Sequence, residues 1–217
     1  TAGRGRRGRA WQSEAGAAVC MSLLLRPEFP AECAPRITIA AALGVCRALR
    51  TFGADAAIKW PNDVYAGGKK LSGILSELGT QGGGRPYIVC GIGINVGQRA
   101  FPGELAETAT SLLLETGHTV ALERVISEVL CALAPLFPAC GEDAAYAALM
   151  EEYCRLSCTL GRQVKITGVD GVRCGRAEGL DTLGRLLLRT ADGALLTIQA
   201  GDVSLRNAEN SEEREKE

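Results

Sequence analysis

The chain has 217 residues, 47% of them hydrophobic and 23% charged, with 24 Lys+Arg against 25 Asp+Glu. That is enough apolar material for one core, or for a core and a small appendage, and the balanced charge argues against a broad basic face for nucleic acid. No apolar run approaches the roughly 20 residues that span a bilayer; nine scattered cysteines, an odd number mostly embedded in apolar runs, argue against a secreted disulfide framework and for reduced thiols in a cytoplasmic protein.

Four arginines fall within the first nine residues, interleaved with glycines as Gly3-Arg4-Gly5-Arg6-Arg7-Gly8-Arg9 and followed by Trp11. Arginine keeps its proton at neutral pH, and its planar fork matches a carboxylate or phosphate two bonds at a time. The glycines permit close backbone approach, so N–H groups can also face a bound anion. Arg-Gly runs also serve as tails that grip nucleic-acid phosphates, which makes an RNA-binding module one reading. Against it, the run leads directly into Ala17 to Leu25, an apolar stretch of strand length. The loop is expected to form a pocket wall.

Pro27 and Pro30 mark a loop, and a helix is expected from Ala34 to Thr51, with Ile39, Leu43, Cys46 and Leu49 as its buried stripe and Gly53 ending it. A short strand then runs into Lys59-Trp60-Pro61-Asn62-Asp63. A hairpin follows, with Val64-Tyr65 in one arm, Gly67-Gly68 at the turn and Lys70 to Leu78 in the other arm. Residues 81–85 read as a loop before a buried strand from Tyr87 to Asn95, which contains Gly91 and Gly93. Helices are expected from Glu104 to Leu156, including a long apolar-striped one from Leu122 to Phe137. From Gln163 to Arg206, short β runs separated by Asp170-Gly171, Asp181 to Gly184 and Asp192-Gly193 predict a small antiparallel barrel. Residues 207–217 are almost wholly polar and are expected to be a disordered tail.

His118 is the only histidine and reads as part of a surface turn, so chemistry needing a histidine base or cluster is set aside. Cys154 and Cys158 share helical spacing, but there is no second pair to complete a metal site. What remains is a set of cations, amides and one carboxylate. Lys59, Asn62 and Asp63 surround a proline-fixed turn, Lys70 opens a strand, and Asn95 ends one with an amide able to donate and accept.

In order and spacing the Ala-Gly-Arg-Gly-Arg-Arg-Gly-Arg run with Trp11, the Lys-Trp-Pro-Asn-Asp turn, Lys70 to Leu75, Gly91 to Val96 and Gly201 to Arg206 resemble bacterial biotin protein ligases. The resemblance implies an α/β (α+β) catalytic domain over 1–156 with a mixed sheet and helices, and an SH3-like barrel over 157–206. It implies that biotin and ATP give biotinyl-AMP and pyrophosphate, and that a lysine of a carboxylase's biotin carboxyl carrier domain then takes the biotinyl group. On this likeness Thr1, Arg4, Gly5, Arg6, Lys70 and Gly73 would line biotin. Arg6, Arg9, Trp11, Lys59, Asn62, Asp63 and Asn95 would hold the nucleotide, with Lys70 and Arg6 as the catalytic pair. Mg²⁺ would accompany ATP, with Asp63 as its protein contact. A homodimer is compatible with the likeness, and no membrane or nucleic-acid partner is implied for these residues. The family's Ser-Thr-Asn motif and the glutamine before the arginine loop are not among the 217 residues, so a fragment lacking the first part of the catalytic domain is expected. The related lipoate or octanoyl ligases are expected to lack both the arginine loop and the Lys-Trp-Pro-Asn-Asp turn.

Overall fold

The computed structural model describes residues 3–5, 8, 10, 11, 13–80, 85–168, 171–199 and 201–205. Two minimal strands, β1 (Gly3–Arg4) and β2 (Ala10–Trp11), pair antiparallel and close the arginine loop into a hairpin. The main sheet is built from β3 (Ala18–Leu25), β4 (Ala57–Lys59), β5 (Asp63–Ala66), β6 (Lys69–Gly79) and β7 (Tyr87–Asn95), in the order β3-β7-β6-β5-β4. Its ladders all run antiparallel among the described residues; parallel pairing is confined to two isolated bridges, Ile58 with Ser157 and Lys70 with Ala109. The expected α/β class holds, with the sheet antiparallel where a mixed one was anticipated.

Strand period sorts the two faces of this sheet. Ile88, Cys90, Ile92 and Ile94 of β7 are buried against the helical layer, while Gly91 and Gly93 point to the other face. The helical layer centres on α1 (Pro35–Thr51), which is buried along nearly its whole length. Pro35 sits in its first turn, where a missing N–H costs nothing, and Gly53, at φ 90°, ends the turn that follows it. Further helices are α2 (Leu105–Thr108), α3 (Leu112–Thr116), α4 (Leu122–Leu133), α5 (Leu136–Ala139) and α6 (Asp143–Leu156). The single helix expected from Leu122 to Phe137 is thus two, broken at Pro135, which cannot donate an i→i−4 bond and crowds the preceding turn. Gly44 of α1 lets α4 approach closely: a Cβ there would lie 2.6 Å from Leu133 Cδ2. At the start of α1 the buried Arg36 donates to Cys140 O and to Asp143, and stands 4.5 Å from the Tyr146 ring, tying α1 to α6.

The second sheet contains β8 (Gln163–Gly168), β9 (Gly171–Leu180), β10 (Leu186–Arg189), β11 (Leu195–Ile198) and β12 (Asp202–Leu205), antiparallel in the order β11-β10-β9-β8-β12. These are the five strands expected of the small β unit. Val164, Ile166, Ala177, Leu186, Leu188 and Val203 form its buried face. Asp170, Arg206 and the tail 207–217 lie outside the described residues. No helix among the described residues is long and apolar enough to cross a membrane.

Candidate active site

A cavity of about 760 Å³ opens on the face of the main sheet away from α1. Its floor follows from register. Lys59 pairs with Asp63, Asp63 with Gly73, Gly73 with Gly93, and Gly93 with Cys20, so one row crosses all five strands and every member lines the cavity. At the usual strand spacing the row is about 19 Å long. One end is ionic, the middle is bare glycine, and the far end carries a thiol.

Each glycine in the middle is required by what lies on it. A Cβ on Gly73 would stand 3.0 Å from Lys70 Cε, 3.1 Å from Lys70 Nζ and 3.2 Å from the Trp11 ring. A Cβ on Gly93 would stand 2.7–2.9 Å from three atoms of the Trp11 indole. The β1–β2 hairpin therefore sets Trp11 flat on the floor, and Gly3 and Gly5 join it as wall. Trp11 Nε1 is buried without a hydrogen-bond acceptor among the described residues.

At the ionic end Lys70 Nζ lies 2.7 Å from Asp63 Oδ1 and 6.0 Å from the Trp11 ring. Lys59 donates to Tyr65 Oη at 3.0 Å and lies 4.5 Å from the centre of that ring. Burial pulls the Lys59 ammonium down from the ordinary lysine value, against the opposing pull of Asp63, Cys158 and Asp202. Burial likewise pushes the Tyr65 phenol up to about 12. The result is a partly desolvated corner that holds Lys59, Lys70 and Asp63, with Asp202 near enough to act on Lys59, where charge interactions exceed their strength in water.

The Lys-Trp-Pro-Asn-Asp turn is fixed from behind. The Trp60–Pro61 peptide is cis. Trp60 is 2% exposed; its backbone N–H donates to Thr159 Oγ1 at 2.9 Å and its indole Nε1 to Gly184 O at 2.8 Å. Tyr153 donates to Pro61 O, and Cys158 N to Ile58 O. Asn62 is buried, with its Nδ2 donating to Ile74 O at 2.7 Å while Ile74 N returns a bond to Asn62 O.

A second wall comes from the segment after β7, through Phe101, Leu105, Thr108 and Ala109. Thr110 N donates to Lys70 O at 2.9 Å, and Lys69 Nζ to Ala106 O at 2.8 Å. Asn95, expected to read a purine edge, spends its amide on this wall: Nδ2 donates to Thr110 O at 2.9 Å and Oδ1 accepts from Gln98 Nε2 at 3.1 Å. The third wall is Gly201 to Ser204, at and beside β12 of the second sheet.

Of the residues singled out in the sequence, Gly5, Trp11, Lys59, Asn62, Asp63, Lys70, Gly73 and Asn95 all line this one cavity. Arg4 lies in β1, and its side chain is outside the described residues, as are Thr1, Arg6 and Arg9. Two contributors were missed. Tyr65 had a local signal, since it stands two residues beyond Asp63 on a strand and so shares its face. Asp202 had none, because only the meeting of the two sheets brings it to the cavity.

The biotin/lipoate A/B protein ligase family model matches residues 1–95, and the biotin protein ligase C-terminal domain model matches 159–206. The chain is 35% identical over 210 residues to the bifunctional ligase/repressor BirA of Bacillus spizizenii, covering 94% of this chain and 63% of that protein. It is 35% identical over 211 residues to the biotin–[acetyl-CoA-carboxylase] ligase of Mycobacterium tuberculosis, covering 94% of this chain and 75% of that one. Among solved structures, the biotin protein ligase of Aquifex aeolicus in complex with biotin and ATP superposes with a TM-score of 0.80 at 32% identity, covering 94% of this chain and 84% of that chain.

Proposed function

Because the chain belongs to the biotin protein ligase family, we propose that it activates biotin with ATP and transfers the biotinyl group to a lysine of a carboxylase's carrier domain. The observation that carries this reading is the floor row: an ionic corner at Lys59, Asp63 and Lys70 runs into a bare glycine bed beneath Trp11, all in one cavity. The glycine bed takes the Trp11 indole, and the ionic end beside it suits a ligand that carries carboxylate and phosphate oxygens.

In the first step a biotin carboxylate oxygen forms a bond to the α-phosphorus of ATP while the bond to the β-phosphate oxygen breaks, releasing pyrophosphate. Lys70 is the residue we assign to both reacting anions. Its ammonium, now paired with Asp63, can offset the repulsion between carboxylate and phosphate and the charge that builds in the transition state. Arg6 and Arg9 are assigned to the adenylate phosphate, Arg4, Gly5, Gly73 and Thr1 to biotin, and Trp11 to covering the adenylate. Lys59 is assigned to the phosphates, and Asn62 and Asn95 to holding the nucleotide-side wall. In the second step the carrier's lysine nitrogen attacks the acyl carbon and AMP leaves. The amine must lose a proton, and Asp63 is the carboxylate we assign to attract it. Residues 1–156 would house this chemistry, with 157–206 supplying the third wall.

Magnesium enters this reading as the counterion of ATP. Among the described residues no group of three His, Cys, Asp or Glu converges, and Asp63 is already paired with Lys70. A magnesium ion carried in on ATP's phosphates needs only one or two protein carboxylates, and Asp63 is the residue we assign to contact it.

The test is biotin transfer onto a purified carrier domain by the protein that carries these residues. Label that needs ATP, biotin and the acceptor lysine is the expected result, with pyrophosphate released in equal amount. Transfer of lipoate in place of biotin, or no transfer at all, would overturn the reading.

A further inference from the structure

Tyr65 belongs to none of the motifs that mark this site, yet it stands at its ionic end. Its ring lies beside Asp63 on the cavity face of β5, and a register shift between Val64 and Tyr65 sets it opposite Lys70 on one side and Ala57 on the other. The Lys59 ammonium donates to its hydroxyl at 3.0 Å and sits 4.5 Å from the ring centre, so both the polar tip and the π face hold the same cation. The groups facing Lys59 are Tyr65 and Asp63 of β5, with Cys158 and Asp202 approaching from the second sheet's side. Burial keeps the phenol protonated and neutral through the physiological range.

A lysine reaches its target on a flexible four-carbon stem, so an ammonium already held in place loses less on binding an anion than one recruited from solvent. A hydroxyl that accepts one ammonium hydrogen leaves two more for an incoming oxygen. Resting on the ligase reading, we propose that Tyr65 is a positioning residue for ATP: its hydroxyl and ring hold the Lys59 ammonium at the ionic end of the cavity, preorganised for the nucleotide's phosphate oxygens. Tyr65 acts through Lys59 and needs no contact of its own with the substrate.

The experiment is calorimetric titration of ATP and of biotin into the parent, Tyr65→Phe, Lys59→Gln and the double variant, with the Tm of each measured in parallel. Tyr65→Phe keeps the ring and removes only the hydroxyl. It is expected to weaken ATP by about three- to tenfold, the range of one lost hydrogen bond, with biotin affinity and Tm unchanged. In the Lys59→Gln background the same substitution is expected to cost nothing more, because the group it positions is gone. Unchanged ATP affinity, equal losses for ATP and biotin, or full additivity with Lys59→Gln would each overturn the proposal. A ligand-free check is the NMR titration of Lys59, whose ammonium should lose its proton at lower pH in Tyr65→Phe; an unchanged titration also overturns it. A parent that binds no ATP would instead sink the ligase reading, while the Lys59 titration would still judge the contact itself.

Discussion

Gly73 and Gly93 stand opposite one another on β6 and β7, and the indole of Trp11 lies against both. The pair is a gap in the side-chain carpet of the sheet, shaped to the thickness of a ring. Gly93→Ala would put a methyl 2.7 Å from Trp11 Cε2 and lift the indole. Overpacking of this kind costs about 1–3 kcal/mol, and here it falls on the cavity more than on the core. The expected outcome is a rise in the KM for ATP of roughly tenfold, because Trp11 is the residue assigned to cover the adenylate, with a shift in tryptophan emission. A wild-type KM would show that the bed is not used.

Lys70→Ala removes the cation beside Asp63. If Lys70 acts chiefly on charge that develops in the transition state, pyrophosphate release should fall by about 10²–10³-fold while the KM for biotin moves far less. Equal losses in both would reassign Lys70 to holding the bound substrate.

Trp60 joins the Lys-Trp-Pro-Asn-Asp turn to the second sheet. Trp60→Phe keeps most of the buried ring but removes the donor to Gly184 O. Leaving that carbonyl unpaired should cost about 1–3 kcal/mol in a urea melt. Thr159→Val removes the acceptor of the Trp60 backbone N–H and should cost a similar amount. Because both substitutions loosen one turn, their sum should exceed the loss in the double variant.

The link between α1 and α6 carries a pH signature. Arg47 Nε donates to Glu152 Oε1 at 2.7 Å, and this bond holds the Glu152 carboxyl below its ordinary value. A carboxylate whose folded value is depressed adds stability above its unfolded value near 4.5 and loses it as pH falls through the folded value. With both side chains about one-third exposed, the contribution is at most about 1 kcal/mol. Glu152→Gln should therefore lower stability at pH 7 and match the parent in strong acid. A difference that persists unchanged at pH 2 would point to packing instead of charge.

Much of this architecture can be read from local rules. The strand from Tyr87 to Asn95 keeps its expected bounds because apolar residues alternate with glycines. Gly67 and Gly68 both take positive φ, as a two-residue hairpin turn between twisted strands demands. The apolar stripe runs through Pro135 while the backbone bond does not, so periodicity alone joins two helices there. Asn95 and Tyr65 show the other limit. Residue type predicted an amide free to read a base and gave no notice of the phenol, yet folding spent the amide on Thr110 and Gln98 and placed the phenol under Lys59. Asp202 is farther still from legibility, because its place depends on how two sheets meet.

The two anchors of Trp60 lie 99 and 124 residues downstream of it. A chain ending before Thr159 would hold Lys59, Asp63 and Lys70 with the turn between them tied to Ile74, Tyr153 and Cys158 but without these two anchors. The charged corner is thus braced by residues far from it along the chain, and its geometry depends on the second sheet being in place.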